Sequence, residues 1–145
     1  MLQVVVFSLA NESYGLPIAQ VQEIILYRAP RSIPSPATSV RGVINLRGRI
    51  IPICDPHGEL VAAAAVERDG DAAKIVIVDT SRGPVGLIVD AVDRVLNVTD
   101  EQVEIGAGER RDYVTGIAKV GDDLILLLEP DALATSLFAR SDLAA

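Results

Sequence analysis

The segment Arg41 to Asp55, RGVINLRGRIIPICD, carries three arginines and the single cysteine of the chain, and the single histidine, His57, follows just beyond it. A thiolate with an adjacent imidazole is the smallest arrangement able to perform nucleophilic catalysis. Cys54 and His57 therefore define one hypothesis, a small cytosolic thiol hydrolase. The surrounding residues argue against it. Cys54 closes an apolar run, where a free cysteine packs as a small hydrophobe, and Pro56 turns the chain away before His57 is reached. Cys54 is expected to be buried and His57 to be a loop residue.

Other chemistry fares no better. One cysteine and one histidine cannot supply the four ligands of a structural zinc site. The glycines are scattered, with no GxGxxG opening a helix and no GxxxxGK[ST], and Gly106-Ala107-Gly108 reads as a flexible turn. Adjacent Asp122-Asp123 falls where a hairpin turn is expected, so it reads as a solvated turn rather than a metal site. No catalytic residue, cofactor or metal is expected.

The elements that position these residues are strands. Half of the 145 residues are apolar, yet the chain has two Phe, three Tyr and no Trp. Its core must come from Val, Ile, Leu and Ala, and the β-branched residues favour sheet. A chain of this length matches one domain, 1–145. The N-terminus MLQVVVFSLANES lacks the basic segment of a signal peptide, and no apolar run is long enough to span a bilayer. With no disulfide possible, a cytoplasmic location is expected, and the initial Met with a short tail after Phe138 is what a free-standing chain would show. The net charge of −7 excludes a general nucleic-acid binder. Charge is unevenly spread, however: Ile24 to Cys54 holds Arg28, Arg31, Arg41, Arg47 and Arg49 and no carboxylate. Such a segment can steer an acidic partner.

An internal repeat fixes the architecture further. Shifted by 71 residues, VVVFSLANESYGLPIAQVQEII (Val4 to Ile25) lies on IVIVDTSRGPVGLIVDAVDRVL (Ile75 to Leu96) without a gap, matching Gly15-Leu16 to Gly86-Leu87. Shifted by 74, GVINLRGRIIPICDP (Gly42 to Pro56) lies on GIAKVGDDLILLLEP (Gly116 to Pro130). Strands are expected at 3–9, 14–17, 21–27, 42–46, 49–54, 73–79, 84–90, 92–97, 114–120 and 123–128, separated by polar and glycine-containing turns. Short strands at even spacing suggest barrels, and the repeat suggests two of them, from approximate halves 1–60 and 73–138. Ile18 to Gln22, with Val89 to Asp93 as its counterpart, reads equally well as a single helical turn or as continuous strand. The spacing of Leu133, Leu137 and Phe138 predicts a short C-terminal helix after Pro130, and Leu60 to Ala73 reads as an Ala-rich linker.

Four stretches together resemble the chemotaxis coupling-protein family, the CheW-like domain: FSLANESYGLPI (Phe7 to Ile18), VQEI (Val21 to Ile24), RGVINLRGRIIPICD (Arg41 to Asp55) and GLIVDAV (Gly86 to Val92). The likeness runs from about residue 3 to about residue 138. It implies an all-β fold of two intertwined, five-stranded SH3-like barrels and no catalytic chemistry. It further implies a cytoplasmic adaptor, recruited to membrane receptor arrays, that couples the cytoplasmic hairpin of a chemoreceptor to the regulatory domain of a histidine kinase, itself of this fold. A detached kinase regulatory domain is the alternative within that fold. Direct membrane insertion is not implied.

Val21, Glu23, Gly42 and Arg47 fall on family positions linked to this coupling. Ile24, Ile33 and Val43 join Val21 as apolar docking candidates, with Arg28, Arg31 and Arg47 as the charged rim. Glu23 is expected to pair with Arg47 across neighbouring strands, and Gly42 to permit close backbone approach. Pro56-His57-Gly58 depart from the family pattern, in which Leu-Arg commonly follows the acidic residue, so no contact carries over there. At the equivalent hairpin tip of the second half, Val120-Gly121-Asp122-Asp123 replaces Leu46-Arg47-Gly48-Arg49. That reversal of charge makes contacts with other domains of the same fold, in ring-like assemblies, an expectation.

Overall fold

Hairpins dominate because runs of Val, Ile and Leu are cut by short turns whose residues take positive φ. Ala10 and Asn11 (φ 48° and 66°) close the first hairpin, and Arg47 with Gly48 (φ 53° and 87°) closes the second, the conformations that two-residue turns between twisted strands require. The computed structural model describes residues 1–60, 72–104 and 112–139. Its strands are β1 (Leu2–Leu9), β2 (Glu12–Pro17), β3 (Val21–Leu26), β4 (Val40–Leu46), β5 (Arg49–Cys54), β6 (Lys74–Thr80), β7 (Gly83–Val89), β8 (Ala91–Val98), β9 (Val103–Glu104), β10 (Val114–Val120) and β11 (Asp123–Leu128). Helices α1 (His57–Leu60) and α2 (Pro130–Phe138) follow β5 and β11. The ten expected strands are all present, and the two-residue β9 is an addition. Of the two readings left open there, the first half takes the helical one, a 3-10 turn over Ile18–Gln20, while the second half has only a bend at Asp90 between β7 and β8. Most of the Leu60 to Ala73 linker and the Gly106-Ala107-Gly108 turn lie outside the described residues.

The sheets run β8-β1-β2-β11-β10-β9 and β3-β6-β7-β5-β4. Neither approximate half, 1–60 or 73–138, makes a sheet by itself. Each SH3-like barrel takes a β-hairpin from one half and three strands from the other, a fourth, β9, being added in the first barrel, which is how the two are intertwined. Under the repeat, β1, β2, β3, β4 and β5 correspond to β6, β7, β8, β10 and β11, and the strand order of one barrel then reproduces that of the other. Register follows as well. Phe7 faces Val92 beside a bulge in β8, as Val78 faces Val21 beside a bulge in β3. Parallel β11 sets Leu127 opposite Gly15, as parallel β5 sets Ile53 opposite Gly86. The matched glycines have a packing reason: a Cβ at Gly86 would overlap the Ile53 and Ile75 side chains, and one at Gly15 would lie 3.2 Å from Ile125 and Leu127.

Each barrel has its own apolar filling, and the repeat relates them. Val4, Val6, Ala118, Ile125 and Leu127 fill the first; Ile75, Ile77, Ile44, Ile51 and Ile53 occupy the equivalent places in the second. A third cluster lies between the barrels and joins Phe7, Tyr14 and Leu16 to Cys54, Val76, Val85 and Leu87. Leu133 and Leu137 of α2 pack into it. The start of α2 is fixed by Pro130 in the first turn and by the Glu129 carboxylate, which accepts the Ala132 N–H at 2.6 Å.

Candidate docking surface

Strand β4 is an edge strand, and an uncovered edge offers its N–H and C=O groups to any passing strand. Here the proline-rich segment after β3 folds back on it. Arg31 and Val43 exchange backbone hydrogen bonds of 2.8 and 2.9 Å, and the Arg28 guanidinium donates to the Asn45 carbonyl at 2.8 Å. Gly42 makes this approach possible. It is buried, its φ is +148°, and a Cβ there would overlap the Arg31 carbonyl.

Glu23 does pair with Arg47, but the two do not sit on neighbouring strands. β3 and β4 are the opposite edges of their sheet, and the pair spans the seam where the sheet curls into a barrel. The opposite seam is spanned by Arg94 of β8, which pairs with Asp93 and lies 3.3 Å from Asp123 at the start of β11. The Arg47 side chain is 69% exposed, and the Asn45 side chain accepts the Gly48 N–H at 2.8 Å to hold the turn beneath it.

Of the nine candidate residues, the structure gathers Glu23, Arg28, Arg31, Gly42, Val43 and Arg47 around this seam. Ile24 and Ile33 are exposed, at 39% and 40%. Val21 is different: half-buried, it packs against the cluster between the barrels. Sequence reasoning passed over Ile50 and Leu26, exposed by 62% and 72%. Alternation along β5 carried the signal for Ile50, because Ile51 and Ile53 point inward and leave it on the outer face.

The first barrel presents the same strip. A groove of about 400 Å³ is lined there by Glu104, Ile117, Lys119, Gly121, Asp122 and Leu124. Ile117, Lys119, Gly121, Asp122 and Leu124 are the repeat equivalents of Val43, Asn45, Arg47, Gly48 and Ile50, and Glu104 faces Ile117 as Arg31 faces Val43. Leu124 and Ile50 are equally exposed.

Cys54 and His57 offer no nucleophile and base. The Cys54 thiol is fully buried, and burial, with the Asp55 charge adding to it, pushes its pKa up to about 12. It holds the place that Leu128 holds in the repeat. His57 is not the loop residue expected from the sequence: it is 7% exposed in the single turn α1, with Nδ1 2.7 Å from Asp55 and Nε2 3.2 Å from Asp90.

A model of the CheW-like domain matches residues 3–138. The chain belongs to the CheW-like domain family. Among relatives of this family, the chemotaxis protein CheW of Klebsiella aerogenes is 33% identical over 135 residues, 90% of this chain and 80% of that one. CheW of Treponema pallidum is 31% identical over 140 residues, 92% and 82% of the two chains. The crystal structure of the scaffolding protein TtCheW from Thermoanaerobacter tengcongensis superposes with a TM-score of 0.82 at 34% identity, covering 91% of this chain and 86% of that one. Among the described residues no helix is long and apolar enough to cross a membrane.

Proposed function

We propose that the chain is a non-enzymatic chemotaxis adaptor of the cytoplasm that couples the cytoplasmic hairpin of a chemoreceptor to the regulatory domain of a histidine kinase. Its family carries the general reading, and the exposed strip of the second barrel carries the specific one. Exposed Ile24 and Ile50 on the barrel that also exposes Arg28, Arg31 and Arg47 supply the residue types of a protein-docking patch. The burial of Cys54 and the engagement of His57 by two carboxylates favour this over a thiol enzyme.

The repeat adds a preference among partners. At equivalent places the two barrels carry opposite charges: Glu23 against Arg94, Arg31 against Glu104, Arg49 against Asp123. Like faces repel and unlike faces attract, so docking to another domain of this fold is head-to-tail, the geometry that closes into rings. Titrating purified protein with a receptor hairpin and, separately, with a kinase regulatory domain tests the reading. Arg47→Glu should weaken at least one of the two by tenfold or more, and added salt should weaken the kinase contact further. Unchanged binding of both partners by Arg47→Glu would remove the second-barrel strip from the account.

A further inference from the structure

His57 takes no part in the docking strip described above. It is also the one polar residue among the described residues that is buried. The repeat shows what it replaces. Asp131, its equivalent at the start of α2, follows the last strand of the first barrel and accepts the Ser81 N–H, in the β6–β7 turn of the second barrel, at 2.5 Å. That hydrogen bond ties the end of one barrel to a turn of the other.

On the opposite side of the molecule the same corner is built from two residues. His57 follows β5, the last strand contributed to the second barrel by the first half. A carboxylate from Asp90, at the crossover from β7 to β8, accepts the Ala10 N–H at 2.7 Å in the β1–β2 turn of the first barrel. The imidazole stands between Asp90 and Asp55, with Nε2 toward the one and Nδ1 toward the other. Backbone bonds anchor both carboxylates: Asp55 N–H to the Ser39 carbonyl at 2.8 Å and Asp90 N–H to the Ser8 carbonyl at 3.0 Å. Asp55 also lies 3.7 Å from Arg41, which flanks the docking strip on β4.

We propose that His57 and Asp90 form an inter-barrel clamp, the counterpart of the Asp131–Ser81 clamp, in which His57 is the positioning residue that aims the Asp90 carboxylate at the Ala10 amide. Two clamps at equivalent corners fix the placement of one outer face relative to the other. Their functional weight rests on the adaptor reading above, since an adaptor must present both faces in a constant relation; their existence does not.

Amide hydrogen exchange on the isolated full-length protein tests this, read at Ala10 and Ser81. In His57→Leu, Ala10 should exchange at least tenfold faster while Ser81 keeps its rate. In Asp131→Ala the pattern should invert. His57→Gln, which can still donate to Asp90, should restore part of the protection at Ala10 and also serves as the reading should His57→Leu not fold. An unchanged Ala10 rate in both His57 variants, or equal acceleration of Ala10 and Ser81 by either single change, overturns the proposal. No receptor or kinase is present in the measurement, so failure here leaves the adaptor reading standing, and failed capture of those partners leaves the clamp standing.

Discussion

Arg47 occupies the left-handed region at φ +53°, where its repeat equivalent is Gly121 at φ +61°. A side chain in that conformation costs about 1–2 kcal/mol, and a strained residue on an exposed turn points to a role outside folding. Arg47→Gly separates the two contributions. Removing the side chain recovers about 1–2 kcal/mol of strain. Against this stand about 0.5–1 kcal/mol for the extra freedom of glycine in the unfolded chain and at most about 1 kcal/mol for the exposed pair with Glu23. The net change should lie between a gain of about 1.5 kcal/mol and a loss of about 1 kcal/mol. Urea unfolding should therefore show an unchanged slope and a midpoint moved by no more than this range allows, while affinity for the partner that docks on the second barrel falls tenfold or more, about 1.4 kcal/mol. A loss of more than about 2 kcal/mol in stability would refute the strain argument. Unchanged affinity in a stably folded variant would refute the docking assignment.

Gly42→Ala should be destabilising by about 1–3 kcal/mol from its backbone conformation alone, with more from the overlap with Arg31; thermal melts give the loss, and amide exchange at Arg31 and Val43 should rise with it. Cys54 should react with iodoacetamide at pH 8 at least a hundredfold more slowly in native protein than in urea, because a thiol with its pKa raised to about 12 is protonated there as well as enclosed.

Much of this fold is legible in the sequence because its signals are local. Val and Ile runs, two-residue turns and the Gly15/Gly86 match mark the strands and show that the pattern occurs twice. The exchange of strands is not legible. A hairpin has the same alternation and the same turn whether it pairs within its own half or with the other, and the pairings between halves, β2 with β11 and β7 with β5 among them, decide the matter. The docking strip is partly legible: Arg47 and Gly42 stand out at a turn and beside a proline-rich segment, while Ile50 hides in a run that is apolar on both faces. The setting of His57 is not legible because its partner Asp90 lies 33 residues away, at the crossover between β7 and β8. Nothing in the local sequence Asp-Pro-His-Gly announces that partner.

The exchange of hairpins also bears on how the chain comes into being. As the polypeptide emerges during synthesis, the β1–β2 hairpin has no permanent neighbour on either outer edge, since β8 and β11 are made only later. Their unsatisfied edges, Val- and Leu-rich, wait in solution through most of translation. The second barrel, whose five strands all lie between Val21 and Val89, can close first, whereas the first barrel waits for β11 and Leu128, so a partly made copy owns one finished face and not two.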